Sequence, residues 1–288
     1  MQRRAFLKSA ALAATASVAG MLASEGESGA AADITAATAP ASASGGGGGG
    51  APAQLFEFRT YHFASPEKRA AYEAFVAEVA VPAWNRAGIR PVGAFKLLAA
   101  DNPEMKLPGD PNDLWVLLPH PSPGSLLELE SKLAADEAYQ SGGRAILAAP
   151  KADAAFTRYE SLLLRPTPGR PTVTVAPRDP QSVFEVRTYE SANVERHLNK
   201  LEMFDAGEFP AFDRSGMTTI FFGAAVAGPD LPQLTYMNLH RDSSEVKKHW
   251  DAFGQDAAWK KLRGEPKYKD NVSKITKRFY RAAAGSQI

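Results

Sequence analysis

The chain has 288 residues, no cysteine, 33 Lys plus Arg and 32 Asp plus Glu, which gives a formal net charge of +1. The lack of cysteine excludes disulfide frameworks, thiol nucleophiles and zinc sites that use Cys ligands. The near-zero charge gives no electrostatic reason to expect a nucleic-acid partner. At about 150 residues per domain, the length allows about two folded units.

The N-terminus has the pattern of an export signal. Arg3 and Arg4 precede Phe6 and Leu7, and an Ala-rich apolar stretch follows over residues 10–23. Paired arginines before a short apolar segment are typical of twin-arginine signal peptides. The stretch of about 14 residues is shorter than the roughly 20 that a transmembrane helix needs. We therefore predict a signal peptide over residues 1–32, export to the periplasm or the cell exterior, and no stable transmembrane anchor.

A low-complexity segment follows the predicted signal. Residues 33–53 are mostly Ala, Ser, Thr and Gly, and they include six consecutive glycines at 45–50. Such a composition offers too little apolar surface to offset the entropy of ordering it, so we predict a flexible linker. The folded part of the chain should then start near Gln54.

The rest of the chain is a duplication. The sequence FEFRTY at 56–61 recurs as FEVRTY at 184–189, and PAWNRAGI at 82–89 recurs as PAFDRSGM at 210–217. Segment 114–120 then matches 234–240. Matched segments in the same order indicate two copies of one unit. We predict an N-terminal domain over 54–166, a Pro-rich linker over 167–180 and a C-terminal domain over 181–288.

Both copies have the same predicted order of elements. A strand leads to an amphipathic helix, for which Ser65 is the expected N-cap, Pro66 the first residue and Gly88 the C-terminal stop. Two strands, a second helix and a last strand complete each copy. The predicted strands are 56–61, 94–98, 114–118 and 156–164 in the first copy, and 184–189, 219–222, 234–239 and 275–280 in the second.

The order βαββαβ is that of a ferredoxin-like α+β domain, which has helices on one face of an antiparallel sheet. One face of each sheet is therefore left uncovered. We expect the two uncovered faces to pack against each other, so that the tandem ferredoxin-like domains form an intramolecular dimeric α/β barrel.

The second copy contains a set of characteristic sequences: FEVRTY at 184–189, FFG at 221–223, LPQLTY at 231–236, WDAF at 250–253, DAAWKKL at 256–262 and SQI at 286–288. On these sequences it resembles the NIPSNAP family over residues 184–288. The first copy keeps the opening strand but lacks the Phe-Phe-Gly and Trp-x-x-Phe sequences of the second. The resemblance implies a dimeric α/β barrel and no particular reaction, because the family offers no settled catalytic residues; the catalytic residues are therefore unknown.

The first strand of each copy carries the candidate ligand-binding residues. Strand alternation places Glu57, Arg59 and Tyr61 on one face and Phe56 and Phe58 on the other. We expect the phenylalanines to lie under the helices and the polar set to point into the barrel, where it could bind a small polar or acidic ligand. The alternative is that each glutamate pairs with its own arginine and serves only to satisfy buried charge. The second copy supplies the corresponding residues Glu185, Arg187 and Tyr189.

Histidines form a second candidate set. His120 and His240 each follow the third strand of their copy. They are either polar residues at a strand end, or paired bases or axial haem ligands at the barrel mouth. His197 and His249 lie on the helices of the second copy without the i, i+4 spacing of a helical metal site. We interpret these two as surface or packing residues, and predict no metal site.

The sequence as a whole favours a binding protein, for a small molecule or a protein partner, with no predicted cofactor; homo-oligomerisation is a further option. The alternative is an enzyme resembling the cofactor-independent oxygenases and isomerases, or the haem proteins, that share this barrel. A third interpretation is a structural domain without a cavity. An open cavity above about 300 Å3 would favour binding or catalysis.

Overall fold

The computed structural model describes residues 53–288. The predicted signal peptide and all but the last residue of the predicted linker lie outside this range. The strands are β1 Leu55–His62, β2 Gly93–Leu97, β3 Asp113–His120, β4 Arg158–Pro166, β5 Val183–Glu190, β6 Thr218–Ala227, β7 Gln233–His240 and β8 Lys274–Ala282. The α-helices are α1 Pro66–Phe75, α2 Val81–Arg86, α3 Pro123–Ala134, α4 Glu137–Gly142, α5 Arg144–Leu147, α6 Val194–Met203, α7 Phe209–Arg214, α8 Ser243–Gln255 and α9 Ala257–Arg263.

The strands close into one barrel in the order β1-β3-β2-β8-β5-β7-β6-β4, and every neighbouring pair is antiparallel. Two of these pairs join the copies. In β2–β8 Phe95 lies opposite Ala282, and in β4–β6 Leu164 lies opposite Ala225. The predicted α+β barrel made from two ferredoxin-like units is therefore confirmed.

The first helix of each copy begins directly after a capping residue. The Ser65 hydroxyl accepts a hydrogen bond from the Lys68 amide at 3.3 Å, and Asn193 accepts one from the Arg196 amide at 2.9 Å. Each helix passes through a π-helical turn, Val76–Ala80 or Phe204–Glu208, before it ends. Gly88 follows the end of α2 with φ +89°, a left-handed conformation that glycine adopts without a steric penalty.

Both faces of the sheet are buried. The barrel interior is a core in which Phe56, Phe58 and Trp115 of the first copy pack with Phe184 and Val186 of the second. The outer face packs on the helices in two further cores, one in each copy. Our prediction that the strand phenylalanines lie under the helices is therefore wrong. A closed interior needs large apolar side chains as much as a helix-covered face does.

Polar contacts also join the two copies beside the β2–β8 pair. Asn102, which is 4% exposed, donates to the carbonyl of Phe279 at 2.8 Å and accepts from the Phe279 amide at 2.8 Å. Arg281 of β8 forms a bidentate pair with Asp101, at 2.7 Å for each bond. These contacts fix the loop after β2 to the last strand. Across residues 53–288, no helix has the length and apolar character needed to cross a bilayer.

Candidate functional site

A cavity of about 370 Å3 opens at one end of the barrel, and we call it the mouth cavity. The end is formed by the last residues of β1 and β5 and the first residues of β3, β4, β7 and β8. Both copies therefore contribute to it. Its lining includes Phe58, Thr60, Trp115, Leu162, Val186, Thr188, Gln233, Thr235, Thr276, Arg278 and Tyr280.

The inner wall of the mouth cavity is aromatic. The rings of Trp115 and Tyr280 meet edge to face with centroids 4.9 Å apart. Tyr280 is 1% exposed, and burial, against the nearby charge of Arg278, raises its pKa to about 12. Its phenol is therefore neutral at pH 7 and is able to donate a hydrogen bond.

One cation in the mouth cavity has no ionic partner. Arg278 forms no salt bridge within the part of the chain that the structure describes. The carboxylates of Glu160 and Glu190 line the same space, but Arg158 lies 3.1 Å from the first and Lys274 lies 2.6 Å from the second. Asp230, on the turn between β6 and β7, also lines this space, and both Asp230 and Arg278 are exposed and lack a salt bridge among residues 53–288. Of the two cations that line the cavity, Lys274 and Arg278, only Arg278 is thus left without a carboxylate partner among the described residues.

Hydroxyl groups form an oriented chain on one side of the cavity. The Gln233 amide donates to the carbonyl of Pro229 at 2.7 Å, and its oxygen accepts from Thr235 at 3.0 Å. The hydroxyls of Thr235 and Thr188 lie 2.9 Å apart. Because the proton of Thr235 is already committed to Gln233, Thr188 must be the donor in this pair. The lone pairs of Thr188 remain available as acceptors.

The predicted polar set of the first copy lies on the outer, helix-covered face, and our prediction that it points into the barrel is wrong. Tyr61 belongs to the core beneath α1. Arg59 binds both carboxylate oxygens of Glu57, at 2.7 and 2.9 Å, and Glu57 also accepts from Ser161 at 2.7 Å and lies 3.0 Å from His120 Nε2. Burial acts to raise the pKa of Glu57, but the hydrogen bonds from His120 and Arg59 and the charge of Arg59 lower it to about 2.

The second copy repeats this arrangement and adds an indole. Glu185 is fully buried and accepts from Arg187 at 2.7 Å and from Trp250 Nε1 at 2.7 Å. The Arg187 guanidinium lies 3.5 Å from the centre of the Trp250 ring, which is a close cation–π contact. Tyr189 hydrogen-bonds Tyr236 at 2.8 Å in the outer core. Each glutamate is thus paired with its own arginine, as the alternative interpretation proposed, and a ligand-binding role for these residues stays a prediction.

His120 and His240 do not stand at the barrel mouth. Both are fully buried on the outer face, and their Nε2 atoms lie 3.0 Å from the carboxylates of Glu57 and Glu185. Their Nδ1 atoms are also engaged, with Ser125 at 3.2 Å and with His249 at 2.9 Å. An axial haem ligand needs a free ring nitrogen aimed at an open space. These two residues therefore do not fit a haem site.

Sequence reasoning misses the residues of the mouth cavity because it places the wrong face of β1 and β5 toward the barrel interior. Thr60 and Thr188 share a face with Phe56 and Phe184 by simple alternation, so the correct face would have identified them. Trp115 lies directly opposite Thr60 in the β1–β3 pair. No sequence signal distinguishes Arg278 from the other basic residues of β8, since its position depends on the register with β5.

Comparisons with known proteins agree with the fold. Residues 184–287 match the family model described as NIPSNAP, which confirms the resemblance of the second copy. A proposed monooxygenase from Lactobacillus acidophilus is 11% identical, with a TM-score of 0.52 over 82% of this chain and 98% of that one. Another, from Fusobacterium nucleatum, is 7% identical, with a TM-score of 0.51 over 81% and 93%. At these identities the likeness shows the fold alone.

A NIPSNAP family protein of unknown function from Agrobacterium tumefaciens is also similar in structure. It is 13% identical, with a TM-score of 0.34, over 39% of this chain and 98% of its own. No curated protein sequence matches the chain significantly.

Proposed function

We propose that this chain, whose C-terminal copy matches the NIPSNAP family, binds a small, flat apolar molecule with an acidic group in the mouth cavity. The observation that carries the proposal is a cavity of about 370 Å3, built by both copies, that has an aromatic wall and one unpaired guanidinium. Small-molecule sites have volumes of roughly 300–1,000 Å3 and combine apolar walls with a few polar groups that fix orientation.

The unpaired guanidinium of Arg278 favours an anion. A guanidinium binds a carboxylate through two parallel hydrogen bonds, and Arg278 has no carboxylate of its own among residues 53–288. The apolar end of the ligand would pack on Trp115 and Tyr280. The Thr188 hydroxyl, which has free lone pairs, would accept a hydrogen bond from a donor on the ligand.

The test is a titration of the full chain with 2-naphthoate, an aromatic carboxylate, followed by Trp fluorescence and calorimetry. Arg278→Ala is expected to weaken binding about 10- to 100-fold, because a charge-assisted hydrogen bond contributes about 1.5–3 kcal/mol and each 1.4 kcal/mol is tenfold in affinity. The matched control is Lys277→Ala. Lys277 precedes Arg278 in β8 and pairs with Glu104 at 2.8 Å outside the cavity, so its loss should leave the affinity unchanged.

Equal weakening by both variants, or no binding of 2-naphthoate to the wild type, would contradict the proposal. Native mass spectrometry of the purified full chain provides an independent readout, since a co-purified acid should be absent from the Arg278→Ala protein. If the bound compound is converted rather than released unchanged, the oxygenase or isomerase alternative replaces simple binding. In that case the neutral phenol of Tyr280 is the first proton donor to test.

We further propose that this binding takes place outside the cytoplasm. The support is the order of Arg3, Arg4, Phe6, Leu7 and the apolar stretch that follows them. Fusion of residues 1–53 to a reporter should give export that is lost in the Arg3→Lys/Arg4→Lys variant, as measured by cell fractionation. Export that survives this double change would show that the pair of arginines is not the signal.

A further inference from the structure

A chain of hydrogen bonds connects the buried carboxylate of the second copy to a surface cleft. Glu185 Oε2 lies 3.0 Å from His240 Nε2, and His240 Nδ1 lies 2.9 Å from His249 Nδ1. Glu185 and His240 have fully buried side chains, whereas the side chain of His249 is 17% exposed. We call these three residues the histidine relay. The mouth cavity contains none of them.

The hydrogen-bond chemistry of the relay fixes its protons. Burial acts to raise the pKa of Glu185, but the hydrogen bond from His240 and the charge of Arg187 lower it overall, so Glu185 is ionised and can only accept. His240 therefore carries its proton on Nε2, and its Nδ1 is an acceptor when the ring is neutral. His249 must then donate from Nδ1, which leaves a lone pair on His249 Nε2.

His249 Nε2 lies beside a cleft on the protein surface. A cleft of about 440 Å3 is lined by His249, Gly216, Thr218, Arg178 and Arg241 together with the Pro-rich segment 176–179. A Cβ atom at Gly216, which has φ +85°, would lie only 3.1 Å from His249 Nε2. The glycine therefore keeps the nitrogen uncovered.

The charged groups around His249 support a neutral imidazole with an accessible lone pair. Burial and the neighbouring His240 lower the pKa of His249, against the opposing effect of Glu245. Glu245 lies 3.9 Å from His249 Nε2, beyond hydrogen-bond distance, and pairs with Arg241 at 2.8 Å. Arg178 donates to the carbonyl of Ser286 at 2.8 Å and has no carboxylate partner among the described residues.

The first copy lacks this connection. There Glu57 pairs with His120 in the same way, but His120 Nδ1 meets the Ser125 hydroxyl at 3.2 Å, inside the protein. The position that corresponds to His249 is Leu129, which is 1% exposed and belongs to the helix-side core. Packing of the duplicated fold therefore requires only the buried Glu–His pair. The extension to the surface is specific to the second copy.

We propose that the cleft is a second binding site, in which His249 Nε2 accepts a proton from a small anionic ligand that carries an acidic O–H or N–H group. Arg178 would hold the anionic group. In the proton transfer the O–H or N–H bond of the ligand breaks, its electron pair stays on the ligand, and an N–H bond forms at His249 Nε2. The positive charge is stabilised through His240 by Glu185, in the manner of a carboxylate–imidazole pair.

The first test is the protonation pattern of His249, measured by 15N NMR on the full chain labelled at histidine. We expect His249 to be protonated on Nδ1 and bare on Nε2 at pH 7, which is the less common form of a free imidazole. In a His240→Phe variant the acceptor for Nδ1–H is lost, so the Nε2 resonance of His249 should move from the unprotonated to the protonated range. The wild-type spectrum alone shows which ring nitrogen of His249 carries the proton, even if the His240→Phe variant does not fold.

The second test is access. Diethyl pyrocarbonate acylates unprotonated imidazole nitrogen, so peptide mass spectrometry should show His249 modified before His120 and His240, which are fully buried. A His249→Gln variant should lose this fast modification while it binds 2-naphthoate like the wild type, which separates this site from the mouth cavity. An Nε2–H form of His249 in the wild type, or a His249 that resists modification in the folded protein, would overturn the proposal.

Discussion

A Glu185→Ala variant is expected to lose about 3–5 kcal/mol of its free energy of unfolding, because removing one partner of a buried ion pair leaves the other charge uncompensated. The carboxylate of Glu185 is the shared acceptor for Arg187, His240 and Trp250, and none of these has a second carboxylate within hydrogen-bond distance among the described residues. Urea unfolding followed by circular dichroism would measure the loss.

The control for this prediction is an exposed ion pair of the same strand. Glu190 pairs with Lys274 at 2.6 Å, but the lysine side chain is 61% exposed, so Glu190→Ala should cost about 1 kcal/mol or less. A Glu57→Ala variant should resemble Glu185→Ala, since the first copy has the same buried pair. A loss below about 1 kcal/mol for Glu185→Ala would show that water or a rearranged side chain replaces the carboxylate.

The second large effect is expected at Lys200, which is buried in the helix-side core of the second copy. Its ammonium lies 2.6 Å from Glu208 Oε2 and 4.5 Å from the centre of the Phe204 ring. Burial raises the pKa of Glu208, against the charge and hydrogen bond of Lys200, so loss of the lysine would leave a buried carboxyl group without its cation. Lys200→Met should therefore cost about 3–5 kcal/mol, measured by the same urea unfolding.

The double variant Lys200→Met/Glu208→Leu is expected to recover most of that loss, because apolar residues of similar volume often replace a buried ion pair without cost. The first copy already lacks this ion pair. In the first copy the corresponding positions are Tyr72 and Ala80, and both are buried. A double variant as unstable as Lys200→Met alone would show that the ion pair has a structural role that apolar packing cannot supply.

The sequence was sufficient to predict the fold because its signals are local and repeated. FEFRTY and FEVRTY locate the first strand of each copy, and Ser65, Pro66 and Gly88 mark the limits of the first helical segment. These residues determine local structure through strand alternation, helix capping and the φ preference of glycine. A prediction from the sequence therefore needs no knowledge of distant contacts. The pairing of the copies followed from the need to cover two apolar sheet faces.

The candidate sites depended on information that local sequence does not carry. Alternation separates Phe56 from Glu57, but both faces of this sheet are buried, so the pattern cannot show which face is the interior. The sequence predicts a surface or packing role for His249, because it does not show that His249 hydrogen-bonds His240 on the preceding strand β7. Arg278 likewise has no salt bridge because Glu160 and Glu190 pair with Arg158 and Lys274. Only the folded structure determines these pairs.

The ring of eight strands has a consequence for how copies of this protein can associate. Over residues 53–288 each strand has a neighbour on both sides, because β2 meets β8 and β4 meets β6. No strand among these residues therefore has a wholly free edge to template the addition of a strand from another molecule. The closure thus favours association of this folded part through side chains on the outer helices and loops over the addition of a strand. The same closure opposes edge-to-edge aggregation of the sheet.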